Sequence, residues 1–245
     1  MDTKPNITVF FPVYNDERTV RQVAEKAIRV CKEISNLYEV IIINDCSPDR
    51  SGEIADQLAI EYAPNVKVVH HAANKGYGGA LKSGFSASQY EWICFTDGDD
   101  EYDLEDLYKL IKLKNYYDLI ITFRYKKAYS SMRIFISNAY NFVLRFLFKT
   151  NYRDISTGLR LAKKEIVQDL QLTSNSPFIG AELTIKTMLK GLRVGEVGIQ
   201  TFPREFGSGA STSLKNIYLT IKDMFRVYNE IFSDKYEMPS NRKRK

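Results

Sequence analysis

The stretch that decides the fold is Trp92-Ile93-Cys94-Phe95-Thr96-Asp97-Gly98-Asp99-Asp100-Glu101. Its first half is a short apolar and aromatic run of the kind that forms a strand buried on both faces. Its second half crowds the carboxylates of Asp97, Asp99, Asp100 and Glu101 around one glycine. Such carboxylates repel one another unless solvent or a cation compensates them. Hard oxygen ligands suit Mg²⁺ or Mn²⁺, which take one or two carboxylates and complete their shell with water and substrate phosphate. Gly98 lets the backbone pass close to a ligand. A solvated turn capping the helix expected near Leu104 is the alternative reading of the run.

The same pattern recurs upstream. Ile7 to Val13, Tyr38 to Ile43 and Val66 to His70 are apolar, β-branched runs, each followed by a polar loop and a helical pattern. Asn15-Asp16 is expected to cap a helix through about Glu33, a second helix runs from about Ser51 to Tyr62, and a third, opened by glycines, covers Tyr77 to Ser88. Successive strand–helix units make a parallel sheet with right-handed crossovers the economical arrangement. In such a sheet ligands bind beyond the carboxyl ends of the strands. The loops to inspect are therefore Pro12 to Glu17, Asn44-Asp45, Asn74-Lys75-Gly76 and Asp97 to Glu101. Asn74-Lys75-Gly76-Tyr77-Gly78-Gly79 suits a phosphate at a helix N-terminus, but it matches neither a Walker loop nor G-x-G-x-x-G.

The second half is less regular. Leu119 to Phe123 and Arg193 to Thr201 read as strands, Asp154 to Arg160 as a loop, and Gly180 to Lys190 and Leu214 to Ile231 as helices. Met132 to Phe148 mixes Phe, Tyr and Leu with Arg133 and Arg145, which suits either an interfacial or a core-facing helix.

Composition narrows the function. A net charge of +5 in 245 residues suits anionic partners without demanding nucleic acid, and part of it sits in the basic end Asn241 to Lys245. The three cysteines have no metal-type spacing and read as small buried thiols in a reducing cytoplasm. The only histidines, His70 and His71, are adjacent at a strand end, too little for a histidine metal cage or a Ser-His-Asp triad. The start is not that of a secretory signal, and no segment reaches the ~18–20 apolar residues of a spanning helix. The expected location is cytoplasmic, with peripheral contact on the inner face of the membrane or a separate membrane partner compatible with it.

As a set, "ITVFFPVYNDERTV", "YEVIIINDCSPDRSGEIAD", "ANKGYGGALKSGF" and "WICFTDGDDEYDLEDL" resemble glycosyltransferase family 2, whose fold is GT-A. The later "DISTGLRLAKKEI" and Arg-Glu-Phe-Gly-Ser-Gly look most like its polyprenol-phosphate, dolichol-phosphate mannose synthase-like branch. The resemblance implies an α/β chain with a mostly parallel central sheet and helices on both faces. It implies one catalytic domain over residues 1–235, with a Rossmann-like nucleotide-sugar half (6–115), an acceptor-side half (116–235) and a flexible basic tail (236–245). Pro12, Tyr14, Asp16 or Glu17 would line the pocket for base and ribose, and Asp45 would bond the base. Lys75 and Gly76 would lie beside the nucleotide, Asp97 with Gly98 would face the ribose or sugar, and Asp99 would bind a divalent metal, with Glu101 as a second ligand. Asp154 and Arg160 would lie near donor sugar and acceptor, and Arg204, before Gly207-Ser208-Gly209-Ala210-Ser211, would neutralise diphosphate. This last segment is longer than the family's usual Gly-x-Ser.

The implied reaction moves a hexose from a UDP- or GDP-sugar to a polyprenyl phosphate with inversion. A hydroxyl of a polysaccharide or lipid-linked oligosaccharide is the alternative acceptor; it would need a base, for which Asp154 and Glu182 are candidates. Glu182 also reads as a helix-start residue. An anionic lipid phosphate needs no base, only cations such as Arg133 or Arg204 to position it. A non-catalytic sugar-nucleotide-binding or scaffold protein is the alternative from another class. A nucleotidyltransferase would want a basic, glycine-rich loop where Pro12 to Glu17 stands. Oligomeric state, sugar and nucleotide stay open.

Overall fold

Burial on both faces of a sheet favours strands that are apolar nearly throughout, and Ile7 to Val13, with the buried Thr8 and half-buried Pro12 as its exceptions, and Val40 to Ile43 meet that demand. In the computed structural model, which describes residues 3–125, 131–202 and 213–233, these runs are central strands of a seven-stranded sheet. The strands are β1 (Ile7–Val13), β2 (Tyr38–Asn44), β3 (Val66–His70), β4 (Trp92–Phe95), β5 (Leu119–Arg124), β6 (Arg160–Lys163) and β7 (Val194–Ile199). Their order is β3-β2-β1-β4-β6-β5-β7. β1 pairs in parallel with both β2 and β4, β2 with β3, and β5 with β7. β6 runs antiparallel to both β4 and β5.

Helices cover both faces. On one side α1 (Val20–Ile34) and α2 (Ser51–Glu61) pack onto alternate residues of β1 and β2, with α4 (Leu107–Ile111) beside α1 and β6. On the other, α3 (Gly76–Ala87), α6 (Lys164–Asp169) and α7 (Ile179–Leu189) cover Phe10, Ile41, Ile43, Ile93 and Phe95. A third cluster joins α7 to α5 (Ser131–Phe148) and α8 (Leu214–Phe232) through Leu144, Phe148, Phe178, Ile185, Met224 and Val227.

Three expectations change. β6 and α6 occupy a stretch where only a loop, ending at Arg160, was expected. β6 is four residues long and held by non-local antiparallel pairing, so no local pattern announces it. Asn15-Asp16 does not cap α1 through a side chain. Asn15 adopts a left-handed φ of 63°, the Asp16 carboxylate accepts from Tyr14 N at 2.9 Å, and the helix starts at Val20. Of the cysteines, Cys31 and Cys94 are buried as expected, whereas Cys46 is exposed; burial pushes the Cys31 thiol up to about 12.

Gly84 of α3 packs against Phe10, which stacks with Phe95 while Phe85 meets both rings edge-on. A Cβ at position 84 would lie 2.2 Å from Phe10 Cε2. Gly84→Ala is therefore expected to destabilise by about 1–3 kcal/mol, read as a lower urea midpoint at unchanged slope.

Candidate functional site

Parallel pairing aligns the carboxyl ends of neighbouring strands. Val13 faces Asn44, Asn44 faces His70, and Phe10 faces Phe95. The residues that follow these strands, Tyr14 to Glu17, Asp45, His71 to Gly76, and Thr96 to Glu101, consequently share one edge of the sheet.

On the β1 and β2 side, loops brace each other. Asn15 N donates to Ser47 Oγ (2.8 Å), Asp16 N to Ser51 Oγ (3.0 Å), Glu17 N to Asp49 Oδ2 (3.0 Å), and Arg50 N returns a bond to Glu17 Oε2 (3.2 Å). Burial alone would raise the Asp49 carboxyl, but hydrogen bonds from Ser47 and Ser51 prevail and hold it below the usual range. Glu17 is thus a brace between loops, while Pro12 is half-buried and Tyr14 stands exposed at the rim. Buried Asp45 accepts from Lys75 N at 2.8 Å through Oδ1, which also lies 2.6 Å from His71 Nδ1. Gly76 turns the chain with a φ of 72°. Gly78 N donates to Asn175 O, and a Cβ on Gly78 would strike the Asn175 backbone. The Lys75 side chain is left exposed at the N-terminus of α3.

The acidic loop is pressed against β1. A Cβ on Gly98 would lie 2.5 Å from the Pro12 carbonyl oxygen, and Thr19 Oγ1 donates to Gly98 O at 2.7 Å. Asp97 accepts from Tyr77 Oη at 2.8 Å. Burial, then the neighbouring Asp97 charge, pushes the Tyr77 phenol well above its ordinary value, so it remains a donor. Asp99 and Glu101 are buried, and Asp99 Oδ1 accepts from Glu101 N. Asp100, with a φ of 56°, turns the other way and accepts from Gln22 and from Lys26 at 2.9 Å. It is a charge partner of α1, and Asp103 caps the 3₁₀ turn Leu104–Asp106 that precedes α4. The buried side-chain polar atoms without a partner among the described residues are the hydroxyls of Thr96, Thr150 and Thr201. Two of them border this loop: Thr96 precedes Asp97, and Thr201 bridges Tyr102.

The donor set fits a Mg²⁺ or Mn²⁺ shared with phosphate. Among the described residues no three His, Cys, Asp or Glu groups form a closed metal cage, and an ion that keeps water and phosphate oxygens needs only one or two carboxylates.

The acceptor-side residues Asp154, Arg160 and Glu182 are buried and engaged. Asp154 is buried in an ion pair with Arg124 (2.7 Å) and also accepts from Asn141 and from Ser156 Oγ. Burial works against the Arg124 charge, but Tyr102 and Asp154 outweigh it and raise its pKa. Arg160 is fully enclosed and donates to the carbonyls of Thr157, Ile155 and Gly180 and to Thr184 Oγ1. Glu182 is buried beside Lys186 (2.7 Å) and accepts from Thr173 N and Ser174 N. Its burial would raise its pKa, yet the bonds from Lys186 and Ser174 lower it. These groups tie β5, β6, α5 and α7 together around the site. Arg204, the segment Gly207 to Ser211 and the tail 236–245 lie outside the described residues, as does the side chain of Arg133; Phe202 N, two residues before Arg204, donates to Glu101 O.

Sequence reasoning missed Tyr77, Arg124 and Gly158. Arg124 carried a usable signal, a polar residue ending an apolar strand. A Cβ on Gly158 would lie 2.5 Å from Asp97 Oδ2, a contact between loops that no local spacing displays.

An α/β fold with an acidic, glycine-bearing loop beyond its central strands is an architecture of the GT-A kind. Residues 8–171 match the family described as glycosyl transferase family 2, and the chain belongs to that family. It is 25% identical over 226 residues to an undecaprenyl-phosphate 4-deoxy-4-formamido-L-arabinose transferase from Pectobacterium carotovorum, covering 89% of this chain. The chain spans 66% of the length of that relative. It is 26% identical over 211 residues to a polyprenol monophosphomannose synthase from Mycolicibacterium smegmatis, covering 81% of this chain and 78% of the relative. Glucosyl-3-phosphoglycerate synthase from Mycobacterium tuberculosis, solved with phosphoglyceric acid, shares the fold with a TM-score of 0.72 at 16% identity, covering 92% of this chain and 80% of that one. The same enzyme has been solved with Mn²⁺ and UDP at a TM-score of 0.70, covering 91% of this chain and 78% of that one. No helix among the described residues is long and apolar enough to cross a membrane.

Because the Arg124–Asp154 pair is buried, Asp154→Ala removes the carboxylate nearest a buried cation. It is expected to destabilise the fold by about 3–5 kcal/mol, measured by chemical denaturation without ligands. An Asp154 acting only as a base would leave that stability unchanged.

Proposed function

We propose that the protein transfers a hexose, with inversion, from a UDP- or GDP-sugar to a polyprenyl phosphate at a membrane surface. In this reading Tyr14 and Asp45 receive the base, and Lys75 and Gly76 lie beside the nucleotide. Asp97, oriented by Tyr77, meets the ribose or sugar, and Asp99 with Glu101 holds a divalent metal. When bound, that metal neutralises the charge developing on the departing nucleoside diphosphate. Asp97 and Asp99 are held before any ligand arrives, so little reorganisation accompanies binding.

One observation favours a phosphate over a hydroxyl acceptor. Asp154 and Glu182, the candidate bases, are both engaged in buried ion pairs, with Arg124 and with Lys186. A hydroxyl must lose its proton during attack, whereas a phosphate oxygen is already anionic. The names of the two relatives, an undecaprenyl-phosphate transferase and a polyprenol monophosphomannose synthase, support the same acceptor class.

The membrane surface is supported by α5 and α8. Met132, Phe135, Ile136, Phe142, Val143 and Phe146 recur at helical spacing on α5, and Phe142 is 69% exposed. Leu214, Tyr218, Ile221, Phe225 and Phe232 form a second exposed row on α8. On α5 Leu144 and Phe148 face the core while the opposite face meets solvent. α5 contains no acidic residue, Asp223 of α8 is buried, and Lys149, Lys215 and Lys222 are exposed nearby. Apolar rows with basic neighbours suit an anionic bilayer interface.

Incubation with Mn²⁺, labelled UDP- or GDP-sugars and polyprenyl phosphate is expected to give an organic-extractable product. Chelation should abolish it and Asp99→Asn should slow it by on the order of 100-fold; no lipid product with any donor overturns the reading. In vesicle flotation, the double change Phe142→Glu and Phe146→Glu is expected to release the protein from anionic vesicles. Transfer to a short, water-soluble polyprenyl phosphate should continue in that variant.

A further inference from the structure

His71 was set aside in sequence as one of two adjacent histidines, yet it stands in the middle of a buried hydrogen-bond chain. Its side chain is 2% exposed, with Nδ1 2.6 Å from Asp45 Oδ1 and Nε2 2.8 Å from Ser83 Oγ. The chain links three separate elements: the end of β2, the residue after β3, and the middle of α3. The His71 backbone is itself fixed, since its N–H donates to Asn44 O at 2.9 Å.

The donor roles follow from the neighbours. Lys75 N donates to the same oxygen, Asp45 Oδ1, at 2.8 Å. An ionised carboxylate only accepts, so the His71 nitrogen facing it must carry a proton. Nδ1–H therefore donates to Asp45, and in the neutral ring Nε2 accepts from the Ser83 hydroxyl. Two donors converge on Oδ1, while Oδ2 takes no hydrogen bond from the described residues. The carboxylate is consequently clamped by one oxygen and offers the other.

We infer that His71 is a specificity-positioning residue, which holds Asp45 as a fixed, acceptor-only group for the nucleotide base. The inference rests on the reading of Asp45 as the base contact. An acceptor in this place selects bases whose pairing edge carries a ring N–H. Uracil and guanine do; adenine and cytosine present a ring nitrogen lone pair instead, which the carboxylate repels. Discrimination by a buried polar group is large only when that group cannot swing away to solvent, and the His71 bond prevents the swing. Ser83 in turn fixes the ring.

The test uses the full chain, calorimetry with UDP, GDP, CDP and ADP in the presence of Mn²⁺, and melting of each ligand-free variant. His71→Ala is expected to weaken the preferred nucleotide by on the order of 10-fold and to leave the weakly bound nucleotides nearly unchanged, so that discrimination collapses. His71→Asn, whose amide places a donor near the Nδ1 position, should recover part of the loss. In transfer assays the effect should fall on KM more than on kcat. Equal weakening of all four nucleotides, or failure of His71→Asn to recover any selectivity, assigns His71 a merely structural role and overturns the inference. Wild-type affinity and selectivity in a folded His71→Ala does the same. Asp45→Asn separates the two levels: if it binds as the wild type does, the base-pocket reading itself falls. If Asp45→Asn is weakened while His71→Ala is not, only the His71 inference falls.

Discussion

Carboxylates gathered at one edge of a sheet repel each other, and much of this molecule's local structure consists of the means by which that repulsion is met. Asp100 turns away and pairs with Lys26 of α1. Asp97 takes the Tyr77 hydroxyl, and Asp45 takes a backbone N–H and an imidazole. Each compensation comes from a different element, so the acidic edge also fixes how the first and third helices sit against the sheet. The parallel pairing of β1 with both β2 and β4 creates the crowding, because it brings their carboxyl ends together. Close packing holds it in place: Gly98 lies against the Pro12 carbonyl, where any side chain would collide.

The other half of the molecule answers a different problem. Arg124, Arg160 and Lys186 are buried cations, and a buried charge is tolerated only when paired or fully hydrogen-bonded. Arg124 and Lys186 are paired with Asp154 and Glu182, while Arg160 spends its guanidinium on carbonyl oxygens and the Thr184 hydroxyl, with burial lowering its pKa. These pairings tie together the elements around the site.

How far the sequence was legible follows from the range of the interactions. The first four strands and their helices were readable because each is announced by its own residues: an apolar run, a polar turn, a helical period. β6 was not, since Arg160–Lys163 is a strand only because β4 and β5 flank it. The acidic loop and Asp45 were legible as polar residues following strands. Asp154, Arg160 and Glu182 were legible as polar residues in an interesting place, but not as partners. Arg124 lies 30 residues from Asp154 and Gly180 lies 20 from Arg160, so nothing local shows that these groups are engaged. His71 failed for the converse reason: judged by its count and spacing it looked inert, and its importance arises from Asp45 and Ser83, which fold alone brings within reach.

The segment at residues 174–176 is bonded to three helices at once. Asn175 O receives Gly78 N at the start of α3, while Asn175 N and Ser176 N both donate to Asp223 of α8. Glu182 grips the preceding residue, Ser174, from α7. α8, which carries one of the two exposed apolar rows, is therefore joined to the glycine turn through only a few hydrogen bonds. One short stretch of backbone is thus a common mooring, its carbonyl serving the glycine turn and its amides serving α8.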